Sequence, residues 1–587
     1  MLRNLIACVA ALLWALPCVI AVPSQPALAE SPAAQASADP LADGRRLELQ
    51  QRWQEAIAYY ERLQRKRPEL VEVQRRLQIV RIHHDVWRRY TDESFVQTVD
   101  ASSPSTALEL YGEVLGKLEL YYVEPIDLRD LLRNGTAFLE VALTEPDFLR
   151  QSVAKVDPSR IEHFRVNVHR GVLGRPVVDA AEAQRIVAAI AAEAQQSIGA
   201  SPTAVVYEYI AGAVGMLDPY SAFLTGGEYA EIMSQIEGNL IGIGVELWAD
   251  EGELEVVDVF TDGPAATAGV MAGDRIVRVA GGDVQLMGAK RAADLLRGQE
   301  GTTVDLTCLR NDGSRHEYRV TRRRIEVPSV TDVAIADAAA GVGYLRITNF
   351  QKTTAAEVDQ ALVDLTNQGM RALIIDLRRN PGGLLDSAVD LADRFLERGR
   401  IVSTRGRNGS ENHNFVAHYA NSLQLPLMVM IDEDSASASE IFAGAIADND
   451  RGTIIGRTSY GKGSVQGVFH NDRGAGGLRL TVSKFYSPDG YAISSRGVIP
   501  HIVLQSAADE AMQASDQIYV AAPAGGQRTA ARPIEGSLPQ AASRGDRRRE
   551  ERAVKQAAED RELQLAVDAA RGMMQRLSAV PAARTGQ

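Results

Sequence analysis

The strongest constraint on the fold lies between Val342 and Leu504, where strand-like and helix-like segments alternate. Val342–Ile347, Ala372–Leu377, Leu427–Ile431 and Gly452–Ile455 are short apolar runs. Helical patterns over 354–367, 384–397 and 438–448 separate them. Such alternation predicts βα units and a mostly parallel sheet. At 587 residues the chain has room for about three or four domains, so this core, 327–505, is one part of a larger whole. Ahead of it, 236–326 switches to a period near two with glycine punctuation. Glu253–Phe260 and Thr303–Leu309 read as strands and Ala289–Arg297 as one short helix. Residues 105–235 are mainly helical, with long apolar stretches at Ala107–Tyr122 and Ala180–Ile198. The expectation is therefore a multidomain α+β chain: a helical N-terminal region, a small β-rich domain, an α/β core and a C-terminal helix.

At the front, Arg3 precedes an uncharged run from Leu5 to Val22, and Ala27-Leu-Ala29 offers a small-residue cleavage site. This predicts a signal peptide over 1–29; the rival reading is an uncleaved anchor. Residues 30–104 read as a linker followed by a helical hairpin. Its Ala56, Tyr60, Leu63 and Pro68 have the spacing of half a tetratricopeptide repeat, equally an ordinary hairpin docked on the body. Over 506–587, a linker poor in large apolar residues leads to a charged helix, Asp546–Leu577. It reads either as part of a dimer interface or as a solvated tail. With 63 basic against 76 acidic residues, net −13, the composition argues against nucleic acid as a partner. Cys8 and Cys18 fall in the leader. Cys308 stands alone, so neither a disulfide framework nor a cysteine-based zinc site is expected, and no cofactor is predicted.

Three glycine- or serine-bearing turns carry the candidate chemistry. Ser437-Ala-Ser-Glu440 sits where a strand passes into a helix. It fits a helix capping box, and it also fits a nucleophile beside free N–H groups that stabilise an oxyanion. His413, His418, His470 and His501 occupy no orienting motif. Lys462, between Gly461 and Gly463, is the alternative base. A lysine of ordinary pKa about 10.4 serves as one only if burial disfavours its charge. Gln466, four residues on, shares its face if the stretch is extended, and its carbonyl would orient the lysine. The strand Ala372–Leu377 runs into Arg378-Arg-Asn-Pro-Gly382-Gly383. This is an ordinary βα turn or, with Ala438, a source of backbone oxyanion donors.

Taken in order, Leu217-Asp-Pro-Tyr-Ser-Ala-Phe-Leu224, Gly263-Pro-Ala with Gly273-Asp274, Asp376–Leu384, Ser435–Glu440 and Gly461–Gln466 resemble the C-terminal processing peptidases, or tail-specific proteases. The resemblance runs from about Ala107 to His501, with 136–204 expanded. It implies a ClpP/crotonase-like core, Ser437 as nucleophile, Lys462 as general base and Gln466 as the residue that positions the lysine. It also implies a PDZ domain at 236–326, whose Gly242-Ile243-Gly244-Val245 resembles the loop that grips a chain-terminal carboxylate. His501 stands where aspartate is common in that family.

The function so implied is an exported, ATP-independent serine endopeptidase, periplasmic by resemblance, that takes proteins by their free C-termini. The alternative is a non-catalytic peptide-binding scaffold. An adaptor on the helical front end and a homo-oligomer are the further expected partners.

Overall fold

The computed structural model describes residues 39–250, 253–298, 300–310, 312–418, 422–474, 476–494, 496–504 and 561–576. The leader with Ala29, and the first half of the expected C-terminal helix, lie outside the described residues. The chain divides into two compact units, Met1–Val80 and Arg81–Gln587.

In the first unit, helices Ala42–Leu49 and Trp53–Lys66 and the start of Val71–Thr91 share a small core of Leu41, Trp53, Ala56, Tyr60, Val73, Leu77 and Val80. Glu48 joins the three helices: it accepts from Tyr60 Oη at 2.5 Å and from two nitrogens of Arg76 at 2.9 Å. The hairpin thus gains a third helix and a core of its own.

In the second unit, residues from Ile82 to Val214 form one helical body. Its central helix, Pro202–Gly215, is mostly apolar and buried throughout from Thr203 to Val214, its one charged residue, Glu208, being paired with buried Arg89. The expansion at 136–204 supplies much of this core, through Phe148, Phe164, Ile186, Val187 and Ile190, and so is no appendage.

The core sheet has six strands, in the order Val330–Asp337, Val342–Ile347, Ala372–Asp376, Leu427–Ile431, Thr453–Gly456 and Ile502–Val503. The first pair is antiparallel and the rest are parallel. Leu345, Leu373, Ile375, Val429, Ile431 and Ile454 point to one face, covered by helices Thr354–Asn367, Leu385–Asp393 and Ala438–Asp448. Tyr344, Ile374, Met428, Met430 and Ile455 point to the other, where Ala566, Val567 and Ala570 of helix 561–576 pack. Coverage on both faces is why the strands read as continuous apolar runs.

A second, five-stranded sheet was not foreseen from sequence. Gly477–Tyr486 pairs antiparallel with Ala222–Leu224, Arg400–Gly406 and Ser464–His470, and Arg400–Gly406 pairs in turn with Asn414–Val416. Leu478, Leu480 and Val482 seat this sheet on the helical body. Pairing of Ala222 with Arg479 brings the Leu217–Leu224 segment beside the strand that neighbours Lys462.

The β-rich domain has strands Val245–Asp250, Glu253–Val259, Arg275–Val279, Thr303–Leu309 and Arg315–Thr321 in one sheet. Asn239–Gly242 pairs separately with Arg323–Glu326. Among the described residues this domain has three short helices, Pro264–Ala268, Val284–Met287 and Ala289–Asp294; the last is the expected helix, ending three residues before Arg297. Cys308 is buried in its strand, and burial pushes its thiol up to about 12.

Candidate active site

Ser437 ends the connection from Leu427–Ile431 and precedes the first residue of helix Ala438–Asp448. Its φ of +55° with ψ −113° is a conformation that L-residues with a Cβ avoid. Such strain persists only where the surroundings enforce it. Here two neighbouring loops do so. Asn380 O accepts from Ala436 N at 3.0 Å and from Ser439 Oγ at 3.0 Å. Ser435 Oγ donates to Leu377 O at 2.8 Å, and Arg379 N donates to Asp432 Oδ1 at 2.9 Å.

The same bonds press Gly382 onto Ser437. A Cβ at Gly382 would lie 2.7 Å from Ser437 Cβ and 2.9 Å from Ala438 N, and φ is +105°. Only glycine fits there. The Gly382 N–H is already committed, donating to Asn380 Oδ1 at 2.8 Å. Gly383 is exposed and Ala438 is buried at the first turn of the helix. Neither of their N–H groups donates to an acceptor among the described residues.

Glu440, read from sequence as a capping residue, does considerably more. Fully buried, it accepts from Ser437 N at 2.8 Å and Lys462 N at 2.9 Å through Oε2. Through Oε1 it accepts from Ser459 Oγ at 2.5 Å and Gly461 N at 2.7 Å. One carboxylate oxygen thereby holds the backbones of Ser437 and Lys462 together. Burial raises the Glu440 pKa, and these four donors oppose that rise. The capping motif was visible in the sequence; the three bonds to a loop some twenty residues on were not.

The Lys462 ammonium lies over the ring of Tyr220, 5.1 Å from its centroid. Burial, and then the Arg479 cation, hold its pKa below the ordinary lysine value, while Glu440 works the other way. Arg479 is anchored by Nε donating to Tyr220 O at 2.8 Å. Burial pushes the Tyr220 hydroxyl up to about 12. Among the described residues no hydrogen bond joins Lys462 Nζ to Ser437 or to Gln466. Gln466 Nε2 donates instead to Ser464 O at 3.2 Å and Ser464 Oγ at 2.9 Å. Strand Ser464–His470 begins two residues after Lys462, so the two-residue alternation that would put Gln466 on the lysine's face does not extend to Lys462.

The histidines are engaged elsewhere. His413 contacts Phe415, His470 contacts Tyr229, and His418 N donates to Asp393. His501 Nδ1 accepts from Ile454 N at 2.9 Å, an acceptor's role that an aspartate would also fill. In the β-rich domain, Gly242, Ile243 and Gly244 are buried and Val245 is half-buried. Gly244 takes φ +79° against Gly263, while Ile243 O and Gly244 O accept from Ala265 N and Phe260 N. No group of metal-ligating side chains and no helix long and apolar enough to cross a membrane occurs among the described residues.

A family model described as peptidase family S41 matches residues 341–504, and a PDZ domain model matches 255–310. The carboxy-terminal-processing protease of Bartonella bacilliformis is 36% identical over 313 residues, 52% of this chain and 71% of that protein. The carboxyl-terminal-processing protease of a Synechocystis species is 34% identical over 294 residues, 49% of this chain and 68% of that one. A solved structure, a photosystem II D1 C-terminal processing protease, is 27% identical and covers 65% of this chain and 94% of its own, with a TM-score of 0.33. A strained serine at a helix start, in an S41 core that follows a PDZ domain, defines a serine-type peptidase. The chain belongs to the C-terminal processing protease family.

Proposed function

We propose that this peptidase cleaves proteins through a Ser437–Lys462 dyad and selects them by their C-terminal tails. The observation that carries the reading is the enforced left-handed turn at Ser437, bound through Glu440 to the backbone of Lys462. Neutral Lys462 takes the Ser437 proton as Oγ attacks the peptide carbonyl. The oxyanion is received by the N–H groups of Ala438 and Gly383, while Gly382, its own N–H spent on Asn380, supplies the close approach. Protonated Lys462 then gives its proton to the leaving amine. A water deprotonated by the same lysine releases the acyl group. For Gln466 to orient Lys462, its carboxamide turns from Ser464 towards the ammonium.

The PDZ domain captures the substrate's terminal carboxylate at Gly242–Val245 and adds its tail as a strand. The enzyme is exported, its leader removed after Ala29. The helical front end and helix 561–576 are the surfaces through which an adaptor or a second copy would bind. A peptide-binding scaffold without catalysis is the competing reading, and the open contact between Lys462 Nζ and Ser437 is what favours it.

The test incubates the protein starting at Glu30 with an unfolded substrate bearing an apolar C-terminus. An amidated version and the Ser437→Ala protein run in parallel. Cleavage that requires both Ser437 and a free carboxylate is expected. Binding without cleavage by parent and variant alike would select the scaffold.

A further inference from the structure

Helix 561–576 covers the core sheet with small residues, Ala566, Val567 and Ala570, yet its first turn brings a carboxylate into the same interface. Glu562 Oε2 accepts from Arg378 Nη1 at 2.8 Å, and Oε1 accepts from Arg457 Nη1. Arg378 is itself buried, gripping Asp376 through Nη2 at 2.6 Å and Nε at 3.0 Å. Tyr344 Oη donates to that aspartate at 2.8 Å. Arg457 N donates to Ile431 O at 3.1 Å, at the end of the strand that leads to Ser437.

Each arginine opens one of the two turns of the site. From Arg378 the chain runs to Gly382, packed on Ser437. From Arg457 it runs to Ser459 and Lys462, which donate to Glu440. Glu440 ties the Lys462 segment to Ser437, against which Gly382 packs, and Glu562 ties the starting points of the two turns. Paired burial of charge is a poor source of stability, so a carboxylate shared by two arginines from the two turns calls for another role. Without it Arg378 keeps Asp376 and Arg457 keeps Glu433, separate carboxylates, and the one anion shared by the two turns is lost.

We propose that Glu562 is a positioning residue: it makes the C-terminal helix a brace that sets the spacing between the Gly382–Gly383 turn and the Lys462 turn. This rests on the Ser437–Lys462 reading given above.

The test uses the full chain and a short reporter peptide that bypasses tail capture. Glu562→Gln should lower kcat about 10- to 100-fold, the cost of a small misplacement of reacting groups. KM should stay unchanged, because no substrate contact is removed. Glu562→Asp should recover part of the lost kcat. Arg571→Ala removes the ion pair to Asp337 elsewhere on the same helix; it should lower thermal stability comparably and leave kcat at the parent value. Parent kcat in Glu562→Gln, or equal losses of kcat in Glu562→Gln and Arg571→Ala, would overturn the proposal. Ser437→Ala alongside separates the two levels. If it is inactive while Glu562→Gln keeps parent kcat, only the brace is wrong. If it is active, the dyad reading fails and the brace falls with it.

Discussion

The two halves of the site are built by different means. On the serine side every constraint is main-chain or buried: Asn380, Ser435 and Asp432 lock the turn, and Gly382 fills the space against Ser437. On the lysine side only the backbone is locked, by Glu440. The side chains are held otherwise: Lys462 lies over Tyr220 from a distant segment, and Gln466 bonds to Ser464 of its own strand. A nucleophile needs a fixed trajectory, which loops can store as strain. A base needs a tuned pKa, which neighbouring rings and charges supply. The first half is therefore rigid by construction and the second adjustable.

This contrast is open to attack. The largest effects fall on the reacting groups: Ser437→Ala and Lys462→Ala should each lower kcat/KM by at least about 10⁴-fold with little change in circular dichroism. Retained activity in Lys462→Ala would point to a base outside the pair. Next, Gly382→Ala places a methyl group against Ser437 and Ala438; kcat should fall about 100-fold, equally at every pH. A loss confined to one end of the pH range would show that the serine turn also tunes the base.

A smaller and selective loss is expected for Gly244→Leu, where φ is +79°: about tenfold in kcat/KM for tailed proteins, or 1.4 kcal/mol, and none for a short reporter peptide. Equal losses on both substrates would deny the PDZ domain its selecting role.

The smallest effects concern the pH profile. On the proposed dyad, in which Lys462 acts neutral, activity should rise with pH through a limb below the ordinary lysine range, burial and Arg479 having lowered its pKa. Stability should rise over the same window, from the depressed folded value up to the unfolded one, because there the unfolded chain binds the extra proton. Arg479→Gln removes a repelling cation and should move the limb to higher pH. Tyr220→Leu removes a ring face that favours the ammonium and should move it to lower pH. Shifts in the same direction would mean that both act on Lys462 only through packing.

Much of the core was legible because its signals are local. Strand Leu427–Ile431 and helix Ala438–Asp448 fall where the sequence places them, since apolar runs and serine–glutamate spacing are read within one element. Strands Ser464–His470 and Gly477–Tyr486 were missed. They are stabilised by pairing with each other and with Ala222–Leu224, a segment far away in the chain. The motif around Tyr220 was noticed, but nothing in it said that its ring would meet Lys462. Arg479 gave no signal at all.

By itself the sequence determined the order of domains, the parallel character of the core and which serine, lysine and glycines stand at its turns. Periodicity and turn chemistry are written residue by residue. Only the tertiary structure decided what those groups touch. It turned Glu440 from a helix cap into a bridge to Lys462, packed Gly382 against Ser437 and set the Lys462 ammonium over Tyr220. It also set Glu562 between Arg378 and Arg457. Each of these joins residues brought together by packing or register, and a one-residue register shift or a bulge redirects a side chain without altering any local propensity.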